Sequence, residues 1–117
     1  MRFGLSDRVL SRIHNVFAQH AEVERVVLFG SRAKGTHHPG SDIDLALIGD
    51  HLAQPTANAI DDELDDLLLP YRFDVTRMSG ITDKELLAHI ARVGALIYQK
   101  SNSEKVSMQD IHESTSI

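Results

Sequence analysis

The stretch Asp42-Ile43-Asp44-Leu45-Ala46-Leu47-Ile48 constrains this chain more than any other. Side chains alternate along a strand, so Ile43, Leu45 and Leu47 share one face while Asp42, Asp44 and Ala46 share the other. The first set demands a core. The second sets two carboxylates about 7 Å apart along one side of the strand, where they repel each other unless water or a cation lies between them. Carboxylates so spaced suit Mg²⁺, a hard cation that keeps several waters and takes substrate phosphate oxygens among its ligands. Taken alone, the pattern also fits an edge strand whose charges guard a solvated face.

The residues on either side supply what a phosphate needs. Arg25 to Gly30, "RVVLFG", is β-branched and apolar and stops at glycine, which predicts a buried strand. Residues 30–41 are expected to form a loop, punctuated by Gly30, Gly35, Pro39 and Gly40. In it Gly30 allows close backbone approach, Ser31 offers a hydroxyl and an N–H, and Arg32 and Lys34 add cations where a short helix could start. The spacing is not that of a Walker A loop. Further on, "YRFDVTRM" alternates Tyr71, Phe73 and Val75 against Arg72, Asp74 and Thr76, a third strand that again carries an aspartate at its centre. Three inward carboxylates on two strands can hold two metal ions.

Helices fill the intervals. Val9, Leu10, Ile13, Val16 and Phe17 recur at helical spacing behind Ser6, an available N-cap. After a break over Gly49 to Pro55, Ile60, Leu64, Leu67 and Leu68 mark a second helix ended by Pro70. The acidic run Asp61 to Asp66 fits a solvated face of that helix and equally a surface for a basic partner. Thr82 and Glu85 form a capping box before Leu86, Leu87, Ile90 and Val93, with Gly94 as the stop and "ALIY" as a closing apolar run. These elements make residues 1–99 one domain, followed by a polar tail over 100–117 expected to be mobile or ordered by a partner.

Composition narrows the functions. A formal charge of −5 offers no global field for nucleic acid or an anionic membrane, so neither is expected as the main partner. Cysteine is absent, which excludes disulfides and thiolate metal sites, and no uncharged run approaches a membrane span. A cytoplasmic protein is expected. The adjacent His37 and His38 have no i,i+4 partner and read as surface residues, not as a zinc site.

The run "GSRAKGTHHPGSDIDL", followed by an aspartate on a later strand, resembles the signature of the DNA polymerase β-like nucleotidyltransferase superfamily. In its short "GSRAKG" form it resembles the minimal nucleotidyltransferases, the MNT antitoxins of the MntA type encoded beside helical HEPN-family partners. The resemblance spans Val26 to Thr76 by motif and most of residues 7–99 by order of elements. It implies an α/β fold: a mixed three- to four-stranded sheet with helices mainly on one face and the metal site on the other. It implies that Gly30 and Ser31 hold the β,γ-phosphates of a nucleoside triphosphate, which the loop cations Arg32 and Lys34 are expected to contact as well. Asp42, Asp44 and Asp74 would be catalytic and ligate two Mg²⁺ ions, and ATP would be the substrate. The implied activity is transfer of AMP to a hydroxyl, a tyrosine, of a HEPN-family toxin that is thereby silenced. Two alternatives stand beside it: the catalytic subunit of a two-chain nucleotidyltransferase with a helical substrate-binding partner and a small-molecule acceptor, and an antitoxin that acts by contact alone.

Overall fold

The computed structural model describes residues 1–101 as one α/β unit built on a mixed four-stranded sheet. The chain runs α1 (Asp7–Ala18), β1 (Arg25–Phe29), α2 (Gly30–Lys34), β2 (Ile43–Ile48), α3 (Gln54–Asp65), β3 (Phe73–Arg77), a 3₁₀ turn (Met78–Gly80), α4 (Lys84–Val93) and β4 (Ala95–Gln99). Strand order is β3-β2-β1-β4. β1 pairs antiparallel with both β2 and β4, while β2 and β3 are parallel, which requires the crossover that α3 provides. The expected tail lies outside the described residues from position 102 on. Among the described residues, no helix is long and apolar enough to cross a membrane.

The alternation of β2 sorts the two faces as expected. Ile43, Leu45 and Leu47 join Val26, Leu28, Phe73 and Tyr98 against Ile13, Val16 and Phe17 of α1 and Ala57, Ile60 and Leu64 of α3, and this is the main core. α1 starts where Ser6 accepts the Val9 N–H at 3.2 Å. The opposite face carries Asp44 and a smaller apolar cluster of Phe29, Ala46 and Ile90, with Val27 and Leu86 packed against it. Ile90 and Leu86 belong to α4. Thus α1 and α3 lie on one face, whereas α4 covers part of the face that bears the carboxylates, a position that helical periodicity alone does not assign.

Three local boundaries differ from expectation. α4 is capped not by Thr82 but by Asp83, whose carboxylate accepts the N–H groups of Glu85 and Leu86; Asp83 stands one residue nearer the helix and suits an N-cap equally well. Pro55 lies within the first turn of α3, where its missing N–H leaves no hydrogen bond unmade, instead of in the break before it. α3 stops at Asp65, well before Pro70, so Leu67 lies in the turn beyond it. Leu68 there has a φ of 56° and is 89% exposed.

Candidate functional site

The parallel register of β2 and β3 places Asp44 directly beside Asp74, and the antiparallel register of β1 and β2 sets Phe29 beside Asp44. Gly30 follows Phe29 and therefore sits over the same carboxylate. It needs to be glycine for two reasons: its φ is +75°, and a Cβ there would overlap the Asp44 Oδ2 oxygen. Asp42 lies one residue before β2 on the side of Asp44. Asp42 and Asp74 are exposed and Asp44 is half-buried. The three expected carboxylates are thus brought to one patch of the sheet, beside the Gly30–Ser31 turn.

The patch is strongly anionic. Burial pushes the Asp44 carboxyl above the ordinary carboxylate range, and the charges of Asp74 and then Asp42 push it further. The field extends to α3. There Asp61 is raised first by burial, then by Asp65 and Asp62, and also by Asp74. Among the described residues the only ion pair is His20–Glu63, at 3.0 Å, so no basic side chain neutralises Asp42, Asp44 or Asp74.

That donor set fits Mg²⁺. Among the described residues, no three His, Cys, Asp or Glu side chains already converge as a closed metal cage. Mg²⁺ does not need one, because one or two carboxylates plus waters and phosphate oxygens complete its shell. Oxygen-only donors with uncompensated charge are what a hard cation requires.

The basic residues of the loop do not share one fate. Instead of remaining loop throughout, residues 30–34 form α2, closed by Gly35 at φ +82°. Lys34 is exposed at its far end. Arg32, expected beside phosphate, is only 1% exposed and turns into the protein. Its guanidinium donates to the carbonyls of Ser41 (3.0 and 3.2 Å), Pro39 (3.1 Å) and Phe3 (2.9 Å), and lies 5.0 Å over the Tyr71 ring. Arg32 is therefore corrected from a phosphate contact to an internal clamp. It ties the loop that delivers Asp42 to the N-terminal turn, where Phe3 and Gly4 both take positive φ. A planar fork of donors suits several carbonyls at once, which is why arginine serves here.

One site residue was missed. His89 of α4 accepts the Gly30 N–H on Nε2 at 3.0 Å, a contact spanning 59 positions of sequence. The available signal was its spacing: His89 stands three residues after Leu86 and next to Ile90, on the border of the apolar stripe.

The sequence pattern of the polymerase beta nucleotidyltransferase family matches residues 11–103. No curated protein matches the chain by sequence. Solved structures with similar folds include a chain of a toxin–antitoxin complex with AMP-PNP, with a TM-score of 0.64 at 18% identity over 91% of this chain and 90% of that one. Another is a chain of the tri-AMPylated Shewanella oneidensis HEPN toxin in complex with MNT antitoxin, with a TM-score of 0.62 at 14% identity over 95% and 92%. A chain of the toxin–antitoxin MntA-HepT gives 0.60 at 14% identity over 94% and 92%. At these identities the likeness is one of fold.

Proposed function

The chain belongs to the polymerase beta nucleotidyltransferase family, and from that premise we propose that it transfers AMP from ATP to a hydroxyl of a HEPN-type helical partner, acting as its antitoxin. The observation that carries the chemistry is the registered pair Asp44 and Asp74, with Asp42 beside them and Gly30 packed on Asp44. Gly30 lies against Asp44 and Ser31 follows it in the first turn of α2, which supports one triphosphate meeting both. The choice of ATP and of partner draws support from the AMP-PNP and the AMPylated toxin in the complexes of similar fold.

In this reading Asp42, Asp44 and Asp74 hold two Mg²⁺ ions, which when bound would acidify the acceptor hydroxyl and neutralise the pyrophosphate leaving group. Ser31 hydrogen-bonds the phosphates and orients the α-phosphorus toward the exposed side of the sheet. The acceptor oxygen attacks there, its bond to the α-phosphorus forms, and the bond to the bridging oxygen of pyrophosphate breaks in line. Exposure of Asp74 on an edge strand supports a second role for it beside metal ligation, as the base that takes the proton of the incoming hydroxyl. Exposure of Asp42 and Asp74 also favours an acceptor delivered by a second chain.

The test is incubation with the HEPN-type partner, Mg²⁺ and α-labelled ATP. Label should appear on the partner and vanish for the Asp42→Asn, Asp44→Asn double variant, which keeps shape and removes charge. A stable complex without label, still neutralised by the double variant, would overturn transfer in favour of contact alone. Label on an added aminoglycoside-type sugar instead would identify a small-molecule acceptor.

A further inference from the structure

The first N–H groups of a helix have no partner within it, and a half-buried one must find an acceptor elsewhere. Gly30 opens α2, and its N–H finds that acceptor in the His89 ring. The ring is itself held in place. Ile90, the next residue, is buried with Phe29 and Ala46, and the imidazole lies edge-on to Phe29 with centroids 6.3 Å apart and planes at 78°. His89 accepts through Nε2, so the neutral ring carries its proton on Nδ1.

Gly30 has no side chain to fix its own peptide plane, and glycine explores both signs of φ readily. Its left-handed conformation is nevertheless the one that lets the chain pass over the Asp44 carboxylate. The hydrogen bond from α4 is an external constraint on that plane. It also removes the Gly30 N–H from the donors open to a ligand, which leaves Ser31 as the donor of the turn.

We propose that His89 is a positioning residue of the nucleotide site: by accepting the Gly30 N–H it sets the Gly30–Ser31 turn against Asp44, so that Ser31 meets the triphosphate the carboxylates serve. This rests on the nucleotidyltransferase reading above. His89 touches neither the acceptor nor the reacting phosphorus; it acts through Gly30.

Two substitutions separate the hydrogen bond from the packing. His89→Phe keeps a ring against Phe29 and removes the acceptor; His89→Gln restores an acceptor oxygen and removes the ring. Binding of AMP-PNP with Mg²⁺ is measured by calorimetry on the full chain, alongside thermal unfolding. Ser6→Ala, which removes the cap of α1 on the sheet face opposite the carboxylates, controls for lost stability, since such a cap contributes about 1 kcal/mol. His89→Phe should weaken binding roughly 5- to 10-fold, the size of one hydrogen bond. His89→Gln should return to within about twofold of wild type by the same reasoning, and Ser6→Ala should bind as wild type does. Wild-type or tighter binding by His89→Phe would overturn the proposal, the tighter result marking His89 as an obstacle to the nucleotide. Equal weakening by His89→Gln and His89→Phe would overturn it in favour of ring packing. If the wild-type chain binds no AMP-PNP, the nucleotidyltransferase reading itself fails and this inference fails with it.

Discussion

Asp44→Asn removes a half-buried charge that faces Asp74 across one strand spacing, and it should stabilise the fold while abolishing transfer. Adjacent strands lie about 4.8 Å apart. Two unit charges at about 5 Å repel by about 1 kcal/mol in water and about 3 kcal/mol at an effective dielectric of about 20. A gain of about 1–2 kcal/mol is expected at pH 7, in low salt with a chelator present. For a domain of this size that raises Tm by at least about 4 °C. The sign with pH follows from the raised carboxyl of Asp44, caused first by burial and then by Asp74 and Asp42. A carboxyl whose folded pKa exceeds its unfolded value of about 3.9 weakens the fold when ionised. The penalty is fully present above the folded pKa and disappears as pH falls through it toward the unfolded one. The advantage of Asp44→Asn should therefore be largest near neutrality and close in acid, as read by urea denaturation from about pH 7 to about pH 4. Added Mg²⁺ should stabilise the wild type more than the variant. A variant no more stable than wild type at pH 7, or an advantage unchanged by pH, would refute the reasoning.

Two other substitutions test the frame around the carboxylates. Gly30→Ala should cost at least about 2 kcal/mol by urea denaturation, combining the left-handed φ with the overlap at Asp44 Oδ2. In an Asp44→Ala background the overlap disappears and only the φ cost of about 1–2 kcal/mol remains; an equal loss in both backgrounds would mean that the carboxylate does not press on Gly30. Arg32→Lys should lose about 2–4 kcal/mol, because an ammonium cannot serve the carbonyls of Phe3, Pro39 and Ser41 together. Full stability with weakened nucleotide binding would instead return Arg32 to the phosphate.

The carboxylate face and the main core were both legible in seven residues. Period-2 alternation is a local rule, so Asp42-x-Asp44 between Ile43, Leu45 and Leu47 dictated which side was buried before any partner strand was known. Gly30 before Ser31 was legible for the same reason, since a strand that stops at glycine marks a turn with special backbone needs. The choice between a charge-guarded edge strand and a working site was not local. The structure removes the edge strand, because β2 lies between β3 and β1, and its parallel register sets Asp74 beside Asp44 with no ion pair to either among the described residues.

Arg32 and His89 show what sequence periodicity leaves open. The local pattern made Arg32 a loop cation, yet its burial depends on carbonyls contributed by Phe3, Pro39 and Ser41 and on the ring of Tyr71. In the sequence His89 is one polar residue among several on an amphipathic helix, and only the packing of α4 on the carboxylate face brings its Nε2 to Gly30. The sequence by itself determined the strands, the buried face and the charges of the site, because these follow from neighbours two to four residues apart. Tertiary structure alone decided which charge faces solvent, which side chain clamps the loop and which helix reaches the turn, because those outcomes depend on hydrogen bonds between groups distant in the chain.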